Sequence, residues 1–261
     1  GLTNLTGLDV SEKALEVMSQ KIHGCTAICA PVIKTDLSED TYDMAVSQFG
    51  IEYAGDKSHL FQAFTEMYRI LKPGGKAVII AHRLDGIITE GCQASLEQIN
   101  LIEDCGFIDS AQNVVSALHE PSRYLNETSS ELQHKLNEAA EPIMSWLKSF
   151  EDLEAEKTKN QFTKFVYHLL ESSHRLITHH KNYSLKDSLS WFQGIRLELE
   201  AYKGRMLSMT EAALSLQDIS ELQEKLKSQR NTSKFNFEET GSLHFNGSSK
   251  PAAWIIRAQK P

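Results

Sequence analysis

The sequence predicts an α/β fold, a mostly parallel sheet layered with helices, interrupted by a large all-helical block and closed by strands at the C-terminal end. Three observations carry this expectation. Short apolar runs alternate with amphipathic helical stretches over residues 1–118. The run "KAVIIA" at 76–81 is wholly apolar, as strands buried on both faces of a parallel sheet are. From about Glu120 glycine becomes scarce and apolar residues recur at spacings of three and four, until "SKFNFEETGSLHFNGSSKPAAWIIRAQKP" returns to strand composition.

Each element follows from its own pattern. Leu5–Asp9 reads as a strand ending on an acid, and Ser11 then caps a helix whose apolar face carries Ala14, Leu15, Val17, Met18 and Ile22. Thr26–Ile33 is a second strand, followed by the polar turn "KTDLSED". Tyr42–Ser47 is a third strand and Ser58–Leu71 a helix, after which "KPGG" interrupts the chain before the strand Lys76–Ala81. Residues 121–231 form the helical insertion, and within it Leu216, Ile219, Leu222 and Leu226 make a heptad-like stripe suited to a coiled coil with another chain. The turn "NGSSKP" leads into a last strand, Ala252–Ala258, so that 1–120 and 232–261 together form the sheet domain.

Composition narrows the function classes. Lys and Arg total 27 against 35 Asp and Glu, a net charge of -8 with no basic block, so a surface built on phosphate contacts to nucleic acid is not expected. No apolar run reaches the length of a membrane span. Cys25, Cys29, Cys92 and Cys105 lack CxxC spacing, which points to reduced thiols in a cytoplasmic protein and away from a disulfide framework or a zinc site. His174, His179 and His180 do not show the i, i+4 spacing of a helical zinc pair and are expected on a solvated face; no metal is implied.

An acid at the tip of a parallel strand is suited to hold two ribose hydroxyls, because a carboxylate accepts both hydrogen bonds. Asp9 ends the first strand in this way. Three pieces, "GLDVSEKALEVM", "YDMAVSQFGIEY" and "MYRILKPGGKAVIIAH", occur in order at spacings that make the chain resemble the class I methyltransferases that use S-adenosylmethionine. The resemblance covers residues 5–118 and the closing hairpin, and it implies a Rossmann-like methyltransferase sheet. In that sheet the second and third strands lie on one side of the first, and the fourth, fifth, seventh and sixth on the other.

The resemblance also implies site residues. Asp9, with Val10 beside it, would take the ribose hydroxyls of S-adenosylmethionine; Asp36 and Leu37 would sit by the adenine; Ser47, Gln48 and Phe49 would flank the methionine part and the sulfonium. Glu52 and Tyr53, just past a strand end, and His82, closing the next strand, are the candidate catalytic groups. The turn "KTDLSEDTYD" lacks the Leu-Pro-Phe of many relatives. A first strand with its GxGxG turn is also missing ahead of Asp9, which predicts an N-terminally truncated methyltransferase that binds the cofactor weakly or not at all. The absence of an "NPPY" segment favours a small-molecule acceptor over nucleic-acid bases. A homodimer through the helical insertion is the expected partner, and the alternative reading is a non-catalytic methyltransferase-like protein whose helical arm binds a protein.

Overall fold

The computed structural model describes residues 4–124, 128–149, 161–228 and 235–261. In chain order the elements are β1 (Thr6–Asp9), α1 (Glu12–Lys21), β2 (Thr26–Cys29), β3 (Tyr42–Gln48), α2 (Lys57–Ile70), β4 (Leu71–His82), α3 (Ile87–Asp104) and α4 (Phe107–His119). They continue with α5 (Ser129–Lys148), α6 (Gln161–Thr178), α7 (Leu185–Glu211), α8 (Leu216–Ser228), β5 (Asn236–Phe237), β6 (Gly241–His244) and β7 (Pro251–Gln259). The chain forms two compact units, one of Gly1–Gly91 with Ser208–Pro261 and the other of Cys92–Leu207.

The first unit holds all the strands. Ser11 caps α1 as its sequence requires, its hydroxyl accepting from the Ala14 amide at 3.3 Å. The second strand is shorter than its apolar run: it stops at Cys29, because Pro31 has no amide to give and its carbonyl instead accepts from Lys34 in a turn. β1 and β2 pair in parallel, Thr6 opposite Thr26 through Asp9 opposite Cys29. β3 pairs in parallel with β4, β4 runs antiparallel to β7, and both β5 and β6 pair with β7. Among the described residues nothing pairs β1 with β3, so the single sheet expected from the sequence is two sheets here. Between β1 and β3 the Tyr42 hydroxyl donates to Thr6 Oγ1 at 3.2 Å.

"LKPGG" earns its glycines locally. Opposite β3 the pairing jumps from Tyr42↔Leu71 to Met44↔Lys76, so β4 spends five residues where β3 spends two, and the excess is looped out as a bulge. Gly74 lies at φ +82°, in the left-handed region, and a Cβ on Gly75 would sit 2.8 Å from the Lys72 carbonyl oxygen. The interruption is therefore real, although pairing resumes on both sides of it.

One face of the larger sheet is covered by α2 and α8. Phe64 and Met67 of α2 and Ile219, Leu222 and Leu226 of α8 pack with Ala77, Ile79, Ala81, Trp254 and Ile256 into a single apolar core. This corrects the coiled-coil expectation. Three of the four stripe residues are spent inside the first unit, and only Leu216 is left, 56% exposed. The second unit has its own core, in which Ile99 and Ile102 of α3, Val115 of α4, Ile143 of α5, Val166 and Leu169 of α6 and Phe192 of α7 are buried together. Texture alone places the helical insertion at 121–231; contacts divide the chain at 91/92 and 207/208, because α3 and α4 feed the helical core and α8 feeds the sheet. Among the described residues no helix is long and apolar enough to cross a membrane.

Candidate active site

The parallel pair β3 and β4 brings its two C-terminal ends to the same edge, Gln48 lying opposite Ile80. Just beyond, the chain makes a tight excursion. Phe49 takes φ +52°, a left-handed conformation that costs a side-chain-bearing residue about 1–2 kcal/mol, while its amide donates to the Ile80 carbonyl at 2.8 Å. The Ser47 hydroxyl then accepts from the Ile51 amide at 2.9 Å and starts a 3-10 turn over Ile51–Ala54. That turn delivers Glu52 inward and leaves Tyr53 partly outside.

Glu52 and His82 form a buried pair. One carboxylate oxygen, Oε1, accepts from the His82 backbone amide at 3.0 Å and lies 2.8 Å from the ring Nδ1. The Glu52 side chain is 0% exposed and that of His82 4%. The second oxygen, Oε2, is sealed from solvent and has no partner among the described residues. Aromatic rings enclose the imidazole: Phe49 lies 4.4 Å away centre to centre and Tyr53 meets it edge-on at 5.8 Å. Behind it, the His82 carbonyl accepts from the Leu214 amide at 2.9 Å, and the Leu214 carbonyl accepts from the buried Trp254 indole at 2.7 Å. The three candidate catalytic residues are thus brought together, with Ser47 shaping the turn and Phe49 against the ring.

The cofactor candidates fall in two further places. Asp9 is exposed at the tip of β1; its Oδ1 accepts from the Ser11 amide at 2.8 Å, which fixes the carboxylate and leaves the other oxygen without a partner among the described residues. Val10 is 71% exposed. Asp36 takes φ +55°, and Leu37 is held from both sides, its amide donating to Thr35 Oγ1 at 3.3 Å and its carbonyl accepting from Arg69 Nη2 at 2.6 Å. Gln48 is exposed at the end of β3.

A residue that the sequence reading passed over organises that second place. Glu66 of α2 accepts from the Thr35 amide at 3.0 Å and the Thr35 hydroxyl at 2.5 Å, and it pairs with both the Nε and Nη2 groups of Arg69 at 2.7 Å. The Arg69 guanidinium, helped by Thr35 and opposed by partial burial, holds the Glu66 carboxyl down at about 2. The signal was in "EMYR", an acid and an arginine three apart on one helix face, but its target across the fold is not written in the sequence. Among the described residues no group of three His, Cys, Asp or Glu side chains is placed to hold a metal ion.

Residues 1–79 match the family described as "Methyltransferase domain". Over this segment the chain is similar to methyltransferase domains. The methyltransferase segment is 34% identical over 83 residues to the ubiquinone/menaquinone biosynthesis C-methyltransferase UbiE of Geotalea daltonii, an alignment covering 30% of this chain and 34% of that protein. It is 32% identical over 82 residues to the demethylmenaquinone methyltransferase of Listeria welshimeri, with 30% and 34% covered. The chain therefore spans about a third of the length of the curated relatives it matches. Among solved structures, an S-adenosylmethionine dependent methyltransferase from Mesorhizobium loti is 28% identical over 33% of this chain and 40% of that one, with a TM-score of 0.30. A Methanosarcina mazei methyltransferase overlaps 98% of this chain and 82% of its own at 11% identity and a TM-score of 0.41. Superpositions this loose carry no weight, and the fold rests on the strand pairing described above.

Proposed function

We propose that the protein transfers a methyl group from S-adenosylmethionine to a small-molecule acceptor. The observation that carries this reading is Asp9: a carboxylate at the tip of β1, steadied through one oxygen by Ser11 and open at the other, within methyltransferase-domain sequence. This fits a diol ligand, since the open oxygen can accept a ribose hydroxyl without first breaking a bond within the protein. Asp36 and Leu37, clamped by Thr35, Glu66 and Arg69, serve the adenine side; Ser47, Gln48 and Phe49 border the methionine end; Glu52, Tyr53 and His82 face the acceptor. When bound, S-adenosylmethionine supplies an electrophilic methyl group on a cationic sulfur. The residues of the chain position the nucleophile and exclude water. The C-methyltransferase names of the relatives make carbon acceptors the first class to assay.

The test is calorimetry with S-adenosylhomocysteine on the full-length protein. Binding is expected, and Asp9→Asn should weaken it about 10–100-fold, the equivalent of about 1–3 kcal/mol for a hydrogen bond to a charged group. Unchanged affinity in Asp9→Asn would remove Asp9 from the site; no binding by the wild type would remove the function.

A further inference from the structure

We infer that His82 is the base that takes the acceptor's proton, and that Glu52 is the residue that positions it, by holding the ring proton on Nδ1 and leaving Nε2 free to accept. The inference rests on the methyl-transfer reading and adds to it a class of acceptor: one whose nucleophilic atom still carries a proton when it binds.

The geometry argues this in three steps. A single carboxylate oxygen, Glu52 Oε1, receives both the His82 backbone amide and the ring Nδ1, so side-chain and main-chain atoms of one residue are tied to one acceptor and the ring cannot turn without breaking a buried bond. A carboxylate at 2.8 Å from Nδ1 requires a proton on that nitrogen, which in a neutral ring leaves the lone pair on Nε2. Nε2 has no partner among the described residues and, unlike Glu52 Oε2, is not fully sealed from solvent.

The orphaned oxygen supplies the remaining argument. A carboxylate with one oxygen buried and unpaired is expensive in a low-dielectric site, and that expense shrinks if a positive charge appears beside it. Protonation of His82 at Nε2 creates that charge on a ring already bonded to Glu52. In the transfer, the acceptor's bond to hydrogen breaks and its proton goes to Nε2; the freed electron pair forms the bond to the methyl carbon, and the sulfur keeps the pair of the bond that is lost. Phe49 and Tyr53 close the ring off on two sides and limit its exchange with water.

Two measurements on the full-length protein test this. Nitrogen-15 NMR of histidine-labelled protein, with His82 assigned by comparison with His82→Gln, should show a pyrrole-type Nδ1 and a pyridine-type Nε2 at neutral pH. Glu52→Ala should reverse that pattern toward the Nε2-protonated form, and Glu52→Gln, whose amide oxygen can still accept, should keep it. A wild-type ring protonated on Nε2, or a pattern unmoved in Glu52→Ala, overturns the inference. The second measurement uses His82→Asn, which keeps a donor near the Nδ1 position and deletes the base. It should bind S-adenosylhomocysteine within a few-fold of wild type but transfer radiolabelled methyl from S-adenosylmethionine into a small-molecule extract of the producing cells at least about a hundredfold more slowly. Transfer at the wild-type rate overturns the base assignment. No transfer by the wild type counts against the proposed function, while the NMR result still decides the role of Glu52.

Discussion

Substitution of Glu66 by Gln should destabilise the first unit at neutral pH and by progressively less as the pH falls from 4.5 toward 2. The carboxyl falls from an ordinary 4.5 to about 2 on folding, because Arg69 and Thr35 bond to its charged form. A difference of about 2.5 units is worth about 3.4 kcal/mol at most, and with Arg69 a third exposed a working figure is about 2–3 kcal/mol. The sign follows from the direction of the shift. A carboxyl whose folded value is depressed stabilises the fold fully above its unfolded value and loses that contribution as pH drops from 4.5 toward 2. The assay is urea unfolding of wild type and Glu66→Gln across that range, followed by Trp254 fluorescence in a Trp146→Phe, Trp191→Phe background, because the other two tryptophans lie in the helical unit and would report a separate transition. The gap between the two proteins should close as the pH falls. A gap that stays constant with pH, or one below about 0.5 kcal/mol at neutral pH, would refute the coupling.

Three further substitutions probe the same unit by thermal melting with the same fluorescence reporter. Leu226→Ala, at a side chain that is 0% exposed, should cost about 2–5 kcal/mol and lower the melting temperature of the sheet; a silent substitution would return α8 to the helical insertion. Gly75→Ala must push a Cβ against the Lys72 and Tyr42 carbonyl oxygens, at 2.8 and 3.2 Å, and should destabilise by more than Gly74→Ala, where the Cβ meets open space and the cost is the left-handed backbone alone. Equal costs at the two glycines would mean that the bulge relaxes freely.

Local chemistry made much of this legible. Ser11 as a cap, Asp9 at a strand tip and the interruption at "KPGG" each depend on residues within a few positions of one another, and the structure places all three as their side chains dictate. The juxtaposition of Glu52 with His82 was also within reach, since Glu52 stands just past the end of β3, His82 ends β4, and parallel neighbours bring such ends together. The Glu66 node was not. Its partner Thr35 is thirty-one positions away on a loop with no periodic signal, and α2 would look equally amphipathic had Glu66 faced water.

The stripe Leu216, Ile219, Leu222, Leu226 shows a different limit. Apolar residues three and four apart say that a helix has one face to bury, and the pattern is the same whether a second chain or the protein's own sheet receives it. What decides is the need on the other side. β4 and β7 present Ile79, Ala81, Trp254 and Ile256 on one face, α2 covers part of it, and the remainder would stand in water without α8. Burying three large side chains there gains roughly 1.5–3 kcal/mol each with no loss of translational freedom, whereas pairing with another chain must first offset that loss. Leu216, at the N-terminal end of the helix, falls outside the covered area, which is why the stripe is used at three positions and wasted at the fourth.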